Sequence, residues 1–147
     1  MARVVTFEGI EGAGKTLVSH LAAMDLVHEG FRVFLSQEPY GIVGEFIRSH
    51  LLSGQPDRVD SFMQLFLFEA QRADHIRFLR DSSAQTADFI ILDRYVDSTT
   101  AYQGYGLQLN HEMVEALNRL TAAEFWPEKT FLFDIDPYHA ASRLGGR

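Results

Sequence analysis

Gly9-Ile10-Glu11-Gly12-Ala13-Gly14-Lys15-Thr16 is the stretch that decides how this chain folds. It fits the phosphate-loop pattern G-x-x-x-x-G-K-[ST], which carries weight only between a strand and a helix. Both flanks are present. Arg3-Val4-Val5-Thr6-Phe7-Glu8 is a short β-branched and aromatic run that reads as a strand. Leu17 to Val27 sets apolar residues at helical spacing. The glycines let the backbone turn its N–H groups inward, and the helix N-terminus adds positive potential. Lys15 is expected to reach outer phosphates and Thr16 to offer its hydroxyl to Mg²⁺.

The first helix should run from Lys15 to His28 and stop at Gly30. Phe31-Arg32-Val33-Phe34-Leu35 reads as the second strand, closed by Gln37-Glu38-Pro39-Tyr40-Gly41. A strand, a helix and a strand this close form a βαβ unit, so the sheet should be parallel. Ligands then sit beyond the carboxyl ends of the strands, where Glu38 stands. Gly44 to Leu52 reads as a short helix closed by Ser53-Gly54-Gln55-Pro56. A longer helix starts at Ser61 and runs past Ile76 to Asp81, and Ser82 to Ala87 reads as a loop. Asp88 to Asp93 is an apolar strand suited to burial on both faces. Val96 to Gly106 mixes polar and aromatic residues and receives no element. Asn110 can cap a helix over His111 to Glu124, with Met113, Val114, Leu117 and Leu120 on one face. Thr130 to Ile135 is the last strand, and a helix begins near Tyr138. The strands thus lie near 3–8, 31–36, 88–93 and 129–134.

Composition narrows the rest. The 147 residues are one domain's worth, and 46% are hydrophobic, which excludes general disorder. Without cysteine there is neither a disulfide nor a thiolate metal site. A formal charge of −7 disfavours a nucleic-acid surface, so phosphate binding needs local basic groups. Met1 leads straight into a strand, so no signal peptide is read. No apolar run approaches the ~18 residues of a membrane span.

Three places beyond the phosphate loop invite chemistry. Asp93 ends an apolar strand beside the loop, where a carboxylate holds Mg²⁺ or its water, unless it merely closes a turn. Arg94 follows at the same edge and suits phosphate oxygens. Arg48 is either a surface charge or an inward phosphate clamp, and spacing does not separate the two. Phe68 and Arg72 share a helix face. A ring with a guanidinium one turn on suits a nucleobase. The plainer alternative is a core phenylalanine beside an arginine paired with Glu69 or Asp74.

Together these pieces resemble the thymidylate kinases, a group of nucleoside monophosphate kinases. The resemblance rests on Phe7-Glu8-Gly9-Ile10-Glu11-Gly12-Ala13-Gly14-Lys15-Thr16, on Glu38-Pro39 with Gly44-Glu45 and Ile47-Arg48, and on Leu67-Phe68-Glu69-Ala70-Gln71-Arg72 with His75. It also rests on Asp93-Arg94-Tyr95-Val96-Asp97-Ser98-Thr99 running into Ala101-Tyr102-Gln103-Gly104. It implies an α/β phosphate-loop NTPase fold, with helices on both faces of a parallel sheet of strand order 2-3-1-4, the fifth strand missing. The implied reaction is MgATP plus dTMP giving ADP plus dTDP. By the same resemblance Phe68 stacks on thymine and Arg72 hydrogen-bonds the base. Arg48 and Arg94 hold the acceptor phosphate. Ser98, Thr99, Tyr102 and Gln103 line the base and deoxyribose, and Glu11 and Glu38 lie near the sugar and phosphate. A cytoplasmic homodimer is implied as well.

Several departures from the family pattern stand out. Gln37 occupies a position where arginine is usual, which removes one cationic contact and should weaken dTMP binding. Tyr40 replaces a common glycine. Leu17 replaces a second hydroxyl residue. The phosphate loop carries no arginine of its own, and the chain reads as ending at the start of the lid, with Arg143 and Arg147 there. It therefore reads as a C-terminally truncated kinase with an open sheet edge. Two other readings are a deoxynucleoside kinase, disfavoured by Arg48 and Asp93-Arg94-Tyr95, and an inactive module that retains dTMP.

Overall fold

The sheet order in the computed structural model is β2-β3-β1-β4, all parallel. The structure describes residues 2–53 and 59–144, so the expected closure around Gly54 to Pro56, and Arg147, lie outside the described residues. The strands are β1 (Arg3–Gly9), β2 (Val33–Gln37), β3 (Phe89–Asp93) and β4 (Lys129–Phe133). The helices are α1 (Lys15–His28), α2 (Gly41–Phe46), α3 (Ser61–Asp81), α4 (Val96–Thr99), α5 (His111–Ala122) and α6 (Pro137–Leu144). Both α2 and α4 run on as wider, π-type turns, over Ile47–Leu52 and Thr100–Gly106.

Pleating assigns each strand residue to a face. On one face Phe7, Ile91, Val5, Val33 and Leu35 pack against Ala22, Ala23 and Leu26 of α1. On the other, Val4, Ile90 and Leu92 meet Ile76 and Leu79 of α3, with Ala122 and Phe125. A smaller cluster of Leu65, Leu109 and Val114 fills the gap between α3 and α5. Ile90, Ile91 and Leu92 are all essentially buried, as the apolar run predicts. Register sets Phe7, Asp93 and Gln37 in one row at the carboxyl edge. By alternation Asp93 and Gln37 point to the α1 face, and Glu8, Ser36 and Glu38 to the α3 face. That split separates two halves of the site.

The second strand starts two residues later than expected. Phe31 is engaged before the strand begins, edge-on to Phe89 at 5.2 Å. The Arg32 backbone N–H donates to Asp88 Oδ2 at 2.8 Å. Burial of an aliphatic residue contributes about 1.5–3 kcal/mol, more than a solvent-screened ion pair does, so packing dominates this register. The short helix begins at Gly41 rather than Gly44. On α5 the inward face is also corrected: Leu120 is 74% exposed, and Asn118 lies buried instead. Asn110 caps α5 through Met113 N–H at 2.8 Å.

The Arg32 side chain, then its backbone N–H, hold Asp88 at about 2, below the ordinary 3.8. A carboxylate depressed in the folded state stabilises above its unfolded value and loses that stabilisation as pH falls. Asp88→Asn is therefore expected to flatten the acid branch of the stability curve between about pH 3.8 and about pH 2. Circular-dichroism melts across pH 2–5 check this, and an unchanged acid branch would count against it.

Candidate active site

The phosphate loop leaves β1 and enters α1. Lys15 is buried, and its ammonium donates to Ile10 O across the loop at 2.8 Å. Burial, and then the like charge of Arg94, hold Lys15 below the usual lysine range. Two cations thus face one space. Glu11 lies exposed on the loop. Helix α6 closes on the loop from outside. The Arg143 guanidinium donates to Gly12 O at 3.2 Å. Gly12 has φ +80°, and a Cβ there would stand 2.5 Å from Ala140 O.

At the start of α1 the Thr16 hydroxyl donates to Asp93 Oδ2. Asp93 Oδ1 is buried and, among the described residues, has no hydrogen-bond partner. Leaving such an atom unsatisfied costs about 1–3 kcal/mol, so the position calls for a further ligand. A hydroxyl and a carboxylate with a spare lone pair form an all-oxygen donor set of the kind Mg²⁺ takes. The residues fit a divalent cation. Ser19, His20, Leu35, Ser36 and Gln37 line a cavity of about 270 Å³ beside Asp93.

On the opposite face, Arg94 adopts φ +66°, and its N–H donates to Phe7 O at 3.1 Å. Its guanidinium donates to Ser98 Oγ at 3.3 Å and lies 5.7 Å from the centre of the Tyr102 ring. The Ser98 hydroxyl donates to Glu8 Oε2 at 2.6 Å. Glu8 Oε1 accepts from Tyr95 N–H at 2.7 Å and Ser98 N–H at 3.3 Å. Burial pushes the Glu8 carboxyl above its ordinary range despite these donors. Arg48 donates to Pro39 O at the start of α2.

Arg72 is 1% exposed, and all five of its N–H groups are engaged. Nε and Nη2 donate to Glu38 Oε2 at 3.1 and 2.8 Å. Nη1 donates to Glu69 Oε1 at 3.2 Å and Asn118 Oδ1 at 2.7 Å. The second Nη2–H reaches Thr99 Oγ1 at 2.8 Å. Asp74, the other expected partner, pairs with Arg77 instead. Burial opposes the charge on Glu38, yet Arg72 and His75 together hold it below the usual range. For Glu69 burial wins and its pKa rises. His75 bridges Glu38 Oε1 at 3.3 Å and Ser36 Oγ at 2.9 Å. Tyr40 stacks on His75 at 4.5 Å and on Phe78 at 4.9 Å, which explains how an aromatic side chain fits this turn.

The fold therefore brings Lys15, Thr16, Asp93, Arg94 and Ser98 to one sheet edge. Glu38, Arg72 and Thr99 form a buried cluster beside it, and Phe68 is half-buried one turn from Arg72. Gln103 is buried and Tyr102 exposed on the turn after α4. Glu11 and Arg48 lie at the rim. Sequence reasoning missed Asn118 and gave Glu8 and His75 no role. A signal existed for Asn118, which follows Val114 by four residues and so occupies a core position. None existed for Glu8, whose partners lie about ninety residues away.

A family model described as Thymidylate kinase matches residues 7–147. The thymidylate kinase of Exiguobacterium sibiricum is 33% identical over 144 residues, which cover 97% of this chain and 68% of that protein. That of Thermomicrobium roseum is 38% identical over 136 residues, covering 92% and 64%. The crystal structure of thymidylate kinase from Ehrlichia chaffeensis superposes with a TM-score of 0.79 at 35% identity, covering 97% of this chain and 82% of that one. The chain spans about two thirds of the length of these curated relatives.

Proposed function

The chain belongs to the thymidylate kinase family, and from that premise we propose that it transfers the γ-phosphoryl group of ATP to dTMP, giving ADP and dTDP. The observation that carries this reading is the convergence of Lys15, Arg94 and the Thr16–Asp93 pair at one sheet edge. Phosphoryl transfer needs two anionic substrates held in line with their charge neutralised, and little covalent chemistry. Inward N–H groups of residues 9–16 bind the donor phosphates. Lys15 leaves Ile10 O and turns its ammonium to the transferred group. Arg94, with Arg48 at the rim, holds the acceptor phosphate, whose oxygen attacks the γ-phosphorus as the bond to the ADP oxygen breaks. Thr16 and Asp93 would hold Mg²⁺, Asp93 through water, and the ion would supply charge neutralisation.

Phe68 offers its ring to thymine. Arg72 is already saturated, so a base carbonyl takes the N–H now spent on the neutral Thr99 hydroxyl. Glu38 and Gln103, with Ser98, Thr99 and Tyr102, line the deoxyribose and base, and Glu11 stands near the phosphates. Residues 1–147 act here as one domain. Exposed Phe62, Met63 and Phe66 on the outer side of α3 support a homodimer, and the family reading carries a cytoplasmic setting. Among the described residues no helix is long and apolar enough to cross a membrane.

A coupled ADP-release assay with MgATP tests the reading. Turnover with dTMP is expected to exceed that with dUMP about tenfold, the scale one methyl group sets. Absence of turnover with dTMP still bound in calorimetry would replace a kinase by an acceptor-binding module. Absence of both would overturn the assignment of the site.

A further inference from the structure

We propose that Glu8 is the positioning residue that fixes Arg94 and Ser98 relative to the phosphate loop; this rests on reading those two as contacts to the acceptor phosphate. Glu8 immediately precedes Gly9, the first residue of the loop. It is 3% exposed, and the three donors to its carboxylate all come from one distant segment: the amides of Tyr95 and Ser98 and the Ser98 hydroxyl. The chain of contacts continues outward, because Ser98 Oγ in turn accepts from Arg94. Arg94 itself sits in the left-handed backbone region, which a side chain enters only where the surroundings enforce it.

A purely structural duty would look different. Helices are usually capped locally, by Ser, Thr, Asp or Asn at the position before the first turn. Tyr95 occupies that position in α4 and provides no side-chain cap. The cap comes instead from the strand that delivers the phosphate loop. One carboxylate thereby ties the donor-binding loop to the acceptor-binding turn. The tie reaches the active edge without touching either substrate. Its loss should loosen the acceptor side far more than the donor side, because its hydrogen bonds go to Tyr95 and Ser98, and its charge acts on Lys15 only behind burial, Arg94 and Asp93.

The test compares Glu8→Ala and Glu8→Gln in the full chain. In Glu8→Ala the dissociation constant for dTMP should rise between about tenfold and a hundredfold, the scale of two or three lost charge-assisted bonds. That for ATP should stay within about twofold, since its contacts are untouched. Glu8→Gln keeps an acceptor for the two amides but places a donor against Ser98 Oγ, so it should fall between wild type and Glu8→Ala. It also carries the test if Glu8→Ala does not fold. Equal losses for both nucleotides, or unchanged dTMP affinity, would overturn the proposal. Amide hydrogen exchange in the ligand-free protein separates this inference from the functional reading. Faster exchange confined to Tyr95, Ser98 and their turn supports the tie even if wild type binds no dTMP, in which case only the acceptor assignment falls. Exchange unchanged at those amides would sink the tie itself.

Discussion

Replacing Arg72 with methionine is expected to cost about 3–5 kcal/mol, because it strands charges in the interior. That is a large share of the ~5–15 kcal/mol that holds a typical domain together. Arg72 faces Glu38 and Glu69, and all three are buried. Methionine matches much of its volume, so packing loss is the smaller effect. The pH dependence should also change sign. In wild type Glu38 is held below its ordinary 4.5, so its contribution is present above that value and is lost on acidification. In the variant only the His75 contact still opposes burial, the largest influence, so Glu38 is expected to rise above 4.5 and stability to fall as pH increases from there. Urea titrations at pH 5 and pH 7 would show it: the variant should be relatively stronger at pH 5. Adding Glu38→Gln and Glu69→Gln should recover part of the loss. A cost below about 1 kcal/mol, the scale of a surface pair, would mean that the cluster is effectively solvated.

Lys15→Met should lower kcat by about 10²–10³-fold, the scale of removing one preorganised donor from a developing charge. Folding should be nearly unaffected. Among the described residues the Lys15 ammonium donates to Ile10 O alone, and burial already works against its charge. The pairing of a large kinetic loss with an unchanged melting temperature is the diagnostic result. A loss of activity that merely tracked a drop in melting temperature would place Lys15 among structural residues.

Much of this was legible in the residues. Strands β1 and β3 and helix α1 follow from local apolar pattern and the glycine loop, because each buries a continuous surface. The turns over Val96 to Gly106 were not legible. That run is rich in Ser, Thr, Tyr and Gly, which favour helices weakly, and its cap arrives from Glu8 on another strand. Leu120 misled for a related reason. Periodicity alone prefers a leucine inside, yet the α5 face toward α3 is where Arg72 needs an acceptor, and Asn118 takes that position. The inward side of α3 is likewise partly polar, with Gln64, Glu69, Gln71, Arg72 and His75 buried beside Leu65, Ile76 and Leu79, while Phe62, Met63 and Phe66 face outward. A helix that lines a site sets polar residues among the apolar ones it turns inward.

The close seat of α6 on Gly12 has a consequence for how variation is tolerated. Position 12 is closed by Ala140 O, which would stand 2.5 Å from a Cβ, and its φ of +80° disfavours most side chains as well. Gly14 shares a positive φ, of +93°, but a Cβ there meets nothing within 4 Å. In a library of single variants selected only for folded protein, position 12 should return glycine alone, whereas position 14 should admit asparagine, which tolerates such an angle. Under selection for phosphoryl transfer the second position should close as well, because the open space above it is where a phosphate would rest. The two glycines of one loop would then answer to different pressures, one from its own scaffold and one from its substrate.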